Sequence, residues 1–190
     1  CIYMGLNRDF IGREYKSSLN ISLEDVASYA SAIGTNDKIT NTITVPLCFS
    51  VTYELPLIYK ILEDPNLHGS LEQYQENMLM MVHGDQHMKF YNPIMPGDKI
   101  TYTAKIEDIE DKGSGEVFSV NVQSTNQDGK RVVESKWGLF IRGIGSGKRP
   151  EKRSREKLFY FDPKKVIFRK TIQISLNITH KYSKASNDMN

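Results

Sequence analysis

The chain has 190 residues, enough for one domain with an appendage and a real core. With 25 Lys and Arg against 23 Asp and Glu, the formal charge of +2 excludes a general pull toward nucleic acid or an anionic membrane. Two cysteines, Cys1 and Cys48, exclude a disulfide framework and favour a reducing compartment, and no apolar run approaches the ~20 residues of a membrane helix.

The chain opens on Cys1 rather than Met and has no charged-then-apolar signal segment, so residues are expected to precede it and to follow Asn190. Residues 8–20 read as a strand or extended lead-in. Ser22 then caps a helix, with Asp25 at the third position after the cap as in a capping box. Val26, Tyr29, Ala30 and Ile33 recur at helical spacing and predict a core-facing stripe that Gly34 ends. Residues 35–47 are polar and β-branched and read as a loop. Residues 48–63 are apolar and aromatic but interrupted by Pro56, which predicts a short segment followed by a helix. Residues 64–77 are polar and read as a surface excursion.

From Met78 the period changes to two. Ile100, Tyr102, Ala104 and Ile106 alternate with polar residues, as do Phe118, Val120 and Val122, and each set marks a strand with one buried face. A turn at Asp111-Lys-Gly-Ser-Gly115 joins them. Asn126-Gln-Asp-Gly129 is a hairpin signal, and Val132 to Arg142 is a third long strand with Trp137, Leu139 and Ile141 on one face. Long antiparallel strands after a helical half give an α+β domain. Residues 143–157 then read as a linker, glycine-rich and basic. A solvated linker is preferred there over an anionic contact. Residues 158–174 alternate weakly, and the chain from Ser175 reads as a helix cut off at its end.

That last helix repeats the first. Laid without a gap on Tyr29-Ala-Ser-Ala-Ile-Gly-Thr35, the stretch Tyr182-Ser-Lys-Ala-Ser-Asn-Asp188 sets Tyr182 on Tyr29, Ala185 on Ala32, Asn187 on Gly34 and Asp188 on Thr35. The copies lie about one domain apart, which points to a duplicated domain. Only the second copy carries an acid at its last position.

Four segments carry a resemblance: Tyr29 to Gly34; Val82-His-Gly-Asp-Gln86 with Phe90-Tyr-Asn-Pro-Ile-Met-Pro-Gly-Asp98; Asp111 to Gly115 with Phe140 to Arg149; and Tyr182 to Asn190. Together they resemble the N-terminal part of a double-hotdog protein of the MaoC-like dehydratase family, and within it the (R)-specific enoyl-CoA hydratase (hydratase 2) unit of peroxisomal multifunctional enzymes type 2. The resemblance implies a hotdog fold, an antiparallel sheet wrapped around a helix. It implies a catalytically blank acyl-binding hotdog at 1–142, a linker at 143–170, and the start of a second, catalytic hotdog at 171–190.

The family's working motif runs Ser-Gly-Asp-x-Asn-Pro-x-His, with Asp and His addressing one water. Hydration of a conjugated thioester needs a base to take a proton from water and an acid to deliver one to the α-carbon. The thioester oxygen meanwhile needs backbone N–H groups. Asp188 and Asn190 match the motif, with Asn187 where Gly is usual, and the histidine would follow Asn190. The first copy has no acid at the aligned position, and Asp37 stands two residues late. The implied partners are an acyl-CoA or acyl-carrier-protein thioester, a second hotdog in cis or in a partner subunit, and a homodimer mate. No redox or metal cofactor is implied, and the implied location is cytoplasmic, or peroxisomal in a eukaryote.

Single residues remain to be weighed. His83 and His87 are a His–x3–His pair, but their surroundings are strand-like, so they lack the helical geometry or further ligands that zinc needs. His83-Gly84 is expected at the sheet edge or on the pantetheine arm, and a dyad of Asp85 with His83 or His87 is the fallback catalytic pair. His180 is expected to face away from Asp188. Trp137 reads as core. Leu47 to Tyr53, with Phe49 and Tyr53 as substrate-binding candidates, and Leu55 and Leu57 fit an acyl tunnel or the core equally. Lys148, Arg149, Lys152 and Arg153 are candidates for the 3′-phosphate of coenzyme A. Two rival functions stay open: a non-catalytic subunit of a heteromeric MaoC-like dehydratase, and a hotdog thioesterase. The second would need an acid on the central helix or facing strand.

Overall fold

A computed structural model describes residues 5–34, 45–148 and 162–188. Cys1, residues 35–44 of the predicted loop, Arg149, Lys152, Arg153 and Asn190 lie outside the described residues. In chain order the elements are β1 (Glu14–Asn20), α1 (Leu23–Ala32), α2 (Val51–Leu62), α3 (Pro65–His68), α4 (Leu71–Met80), β2 (Met81–Phe90), β3 (Lys99–Asp111), β4 (Gly115–Thr125), β5 (Arg131–Arg142) and α5 (Ile178–Ser186).

The Ser22 hydroxyl accepts from the Asp25 backbone N–H at 3.0 Å, so α1 begins where the capping box places it. Val26, Tyr29, Ala30 and Ala32 are buried. Ile33 departs from the predicted stripe: it is the C-cap and turns outward, because the helix closes at Ala32 and Gly34 follows at φ 75°. The lead-in differs too. Asn7 caps a 3-10 turn at Arg8–Phe10 by accepting from Asp9 N–H, and the strand starts only at Glu14.

Pro56 does not break the segment it sits in. α2 runs unbroken from Val51 to Leu62 with Pro56 inside it. Residues 64–77 are not a surface excursion but hold α3 and most of α4, closing the end of α2. Leu67 and His68 are fully buried, and Asn77 nearly so. The Asn77 amide donates to His68 Nδ1 at 2.9 Å, which leaves Nε2–H to donate to the Leu62 carbonyl at 2.8 Å. His68 is therefore neutral, and burial lowers its pKa. Two polar side chains that satisfy each other look like surface in a hydropathy pattern.

The five strands form one antiparallel sheet in the order β1-β3-β4-β5-β2. Its inner face is set by register: Ile106 opposes Val120, Val120 opposes Trp137, and Trp137 opposes Gln86. α2 lies across this face. The Tyr53 hydroxyl bonds Ser124 on β4 at 3.1 Å and its ring packs on Tyr102 of β3 at 4.8 Å, while Glu54 reaches Ser135 and Trp137 on β5. This is the hotdog fold. Trp137 is core, 2 % exposed. No helix among the described residues is long and apolar enough to cross a membrane.

Two irregularities matter for the site. A bulge at Gly84 shifts the β2 register between His83 and Asp85. Spacing of two would put both side chains on one face. The bulge instead leaves His83 opposite Leu139 on the helix side and Asp85 opposite Gly138 on the outer side, where a Cβ on Gly138 would meet the Asp85 carboxyl at 2.9 Å. Beyond β5, the segment expected as linker starts by folding onto the β3–β4 turn. Gly143 N–H donates to Ser114 O, Gly147 N–H to Gly113 O, and Ser146 N–H to Asp111 Oδ1. The Ser146 hydroxyl, with the Gly113 and Ser146 N–H groups, holds the Asp111 carboxyl below its ordinary range.

Candidate active site

The two copies of the repeated motif meet. α5 packs on α1 and α2, and the rings of Tyr29 and Tyr182, aligned in sequence, lie 6.1 Å apart. Tyr29 is 2 % exposed, and burial, with Tyr182 beside it, raises its pKa far above the usual phenol range. It stays a neutral donor, to the Cys48 carbonyl at 3.3 Å. The aligned pair Gly34 and Asn187 both adopt left-handed backbone, at φ 75° and 61°. Asn is the non-glycine side chain that best tolerates that region.

Asp188 follows this turn, and its surroundings are built from its own helix and from α2. Its N–H donates to Ser186 Oγ at 3.2 Å, and Ser183 Oγ donates to its carbonyl. Its carboxylate Oδ1 accepts from the Tyr59 hydroxyl at 3.3 Å, and Tyr59, on α2, is 7 % exposed. One residue earlier, the Asn187 amide donates to the Thr52 carbonyl at 2.9 Å. That carbonyl is the one whose helical donor is missing, because position 56 is proline and has no N–H. Thr52, Pro56 and Tyr59 fall on one face of α2 by their spacing.

The chain holds a second acid that sequence reasoning passed over. Glu54 is fully buried on α2. Its Oε2 accepts from the Trp137 indole N–H at 2.7 Å and its Oε1 from Ser135 Oγ at 2.9 Å. Burial pushes its carboxyl up to about 7, against the opposing effect of the two donors. The signal was present: Glu54 is an isolated acid in the apolar run 47–59.

Of the other sequence-chosen residues, Phe49 joins the same junction. It packs edge-on to Tyr29 at 5.7 Å and, with Thr52, Lys184 and Asn187, lines a hollow of about 210 Å³ between α1, α2 and α5. Tyr53 points the other way, into the core beneath the sheet. His83 is exposed and stacks on Trp137 at 4.8 Å, with Gly84 at the bulge of the edge strand β2. Lys148 is exposed beyond the β3–β4 turn, its N–H on Ser146 Oγ. His180 is exposed on α5. The fallback pair of Asp85 with His83 is split between the two faces of the sheet. A separate cavity of about 370 Å³, lined by Val45, Leu47, Phe90, Ile94 and Val133, opens at the far end of β2. Among the described residues no group of three His, Cys, Asp or Glu side chains could hold a metal ion.

The chain is similar to known proteins. The chain is 26% identical to a UPF0336 protein of Parafrankia sp., over 74% of this chain and 97% of that protein. It is 27% identical to a probable enoyl-CoA hydratase 2 of Dictyostelium discoideum, over 66% of this chain but 44% of that protein. A MaoC-like dehydratase crystal structure from Phytophthora capsici shares the fold with a TM-score of 0.66 at 23% identity, over 97% of this chain and 66% of that one. Residues 20–143, which hold β2 to β5 and the central helix α2, match the family described as the MFE-2 hydratase 2 N-terminal domain, and the chain belongs to that family.

Proposed function

We propose that this chain is the acyl-binding unit of an (R)-specific trans-2-enoyl thioester hydratase, or of a dehydratase running the same reaction backward, joined to the leading residues of its catalytic motif. The observation that carries this reading is the setting of Asp188: a carboxylate just past a helix end, after a left-handed turn, held by a buried hydroxyl of the first unit. There it can take a proton from water as the oxygen attacks the β-carbon, while the histidine expected after Asn190 handles the second proton. Adding water across a conjugated bond changes no overall oxidation state and needs no redox cofactor. The apolar cavity beside Val45 and Ile94 suits the acyl tail. His83, Gly84, Phe49, Tyr53, Asn190, Lys148 and Arg149 remain candidates for contacts with the thioester, its carrier and the motif.

The test is hydration of crotonyl-CoA by the full natural polypeptide that carries these residues. Asp188→Asn is expected to lower kcat by at least about 100-fold. Activity within a few-fold of wild type would sink the reading.

A second reading, a separate subunit that lends its groove to a catalytic partner, is favoured by one observation: this region matches the UPF0336 protein over nearly that protein's whole length. The intact mass of the natural protein separates the two. The thioesterase reading needs an acid that reaches the thioester; Glu54 sits on the central helix, but it is fully buried and both its oxygens are occupied.

A further inference from the structure

We infer that the face of α2 carrying Thr52, Pro56 and Tyr59 is a positioning socket for the catalytic motif, so that the aim of Asp188 is set by the first unit rather than by its own. The inference rests on the proposed role of Asp188. Three observations converge on it. Pro56 deprives the Thr52 carbonyl of its helical donor and leaves it open, on a half-buried stretch of α2, to a donor from outside the helix. The Asn187 amide supplies the missing donor at 2.9 Å. One turn further along the same face, the Tyr59 hydroxyl meets Asp188 Oδ1 at 3.3 Å. A helix seen from the side offers few directional groups, since its carbonyls are already engaged. A proline at position 56 frees one of them in the middle of α2, and the residue just before the acid uses it. The two contacts fall on consecutive residues of the motif, which fixes both the turn and the carboxylate that follows it.

The socket explains why the second copy carries Asn where Gly would serve the left-handed turn more cheaply. Gly offers the conformation without the amide. Asn offers both. Tyr59 and Asn187 are thus positioning residues, acting on the reaction through Asp188 and touching no substrate.

The test uses the full natural polypeptide, crotonyl-CoA hydration and three variants. Tyr59→Phe keeps the ring and removes the hydroxyl. Asn187→Gly keeps the turn and removes the amide. Asp188→Asn tests the underlying reading. The expected result is a kcat lower by about tenfold in Tyr59→Phe and by several-fold in Asn187→Gly, with KM within twofold and the thermal midpoint of Asn187→Gly unchanged or raised. A merely structural role would move the midpoint and leave the kcat-to-KM split alone. Both variants at wild-type kcat, with Asp188→Asn inactive, would overturn the socket and leave the hydratase reading standing. An active Asp188→Asn would remove both.

Discussion

At the scale of single residues, Glu54 ties stability to pH. A carboxyl whose pKa is raised by burial binds its proton more tightly folded than unfolded. Its stabilising contribution is therefore whole below its ordinary value of 4.5 and is lost as the pH rises through about 7. The loss across that window is roughly 3 kcal/mol. Thermal melts are expected to fall between about pH 5 and 8 in the wild type and to stay flat there in Glu54→Gln, which keeps an acceptor for Trp137 without a charge. A wild-type profile that is also flat would show that the two donors outweigh burial. Glu54 was legible only as an oddity, one acid in an apolar run, because its partners on β5 lie some eighty residues away along the chain. Tyr59 was not legible at all: its partner Asp188 is 129 residues distant.

At the scale of elements, the inner strands were readable in full and the edges only in part. β3, β4 and β5 alternate Ile, Val, Phe and Trp against polar residues because one face of each is covered by α2. β1 and β2 are edge strands whose side chains are mostly half-buried or exposed, so neither face stands out. α3 and α4 were missed because the buried contacts that anchor them include the mutually satisfied pair His68 and Asn77. Pro56 misled for the opposite reason: the local rule is sound, but a distant amide compensates the bond that proline removes. The turn at Gly143 to Lys148 makes a prediction at this scale. A Cβ at Gly145 would lie 2.1 Å from the Gly113 carbonyl oxygen. Gly145→Ala should open the clasp, lower stability by about 1–3 kcal/mol and speed amide exchange at Ser146 and Gly147. A fully protected Gly147 amide in the variant would contradict it.

At the scale of the whole molecule, the described chain ends in a segment without a roof. Ile167 and Leu176 are fully exposed, and Phe168, Ile172 and Ile174 are more than two-thirds exposed. Laid on the first copy by the same gap-free alignment, Ile172 and Ile174 correspond to Leu19 and Ile21, which enter the first hotdog at the end of β1. Under the proposed function the residues that would cover this strip are those of a second hotdog, and the periodicity could not say so, because an alternating segment looks the same with or without a sheet to join. A polypeptide of these 190 residues alone is expected to associate with itself in sedimentation as its concentration rises, and Ile172→Lys with Ile174→Lys to suppress it. Monomeric wild-type behaviour at high concentration would mean the strip is covered by the chain's own residues.

The seat that α5 takes on α1 and α2 includes a ring contact and two side-chain hydrogen bonds. Seat and occupant belong to one polypeptide, so docking is unimolecular and draws on an effective concentration that a short tether raises to the millimolar range. Under the proposed function, contacts too few to join two free proteins can then hold the turn that carries Asp188 in place. Cut into two chains, the same machinery would need a far larger shared surface to keep Asp188 in place.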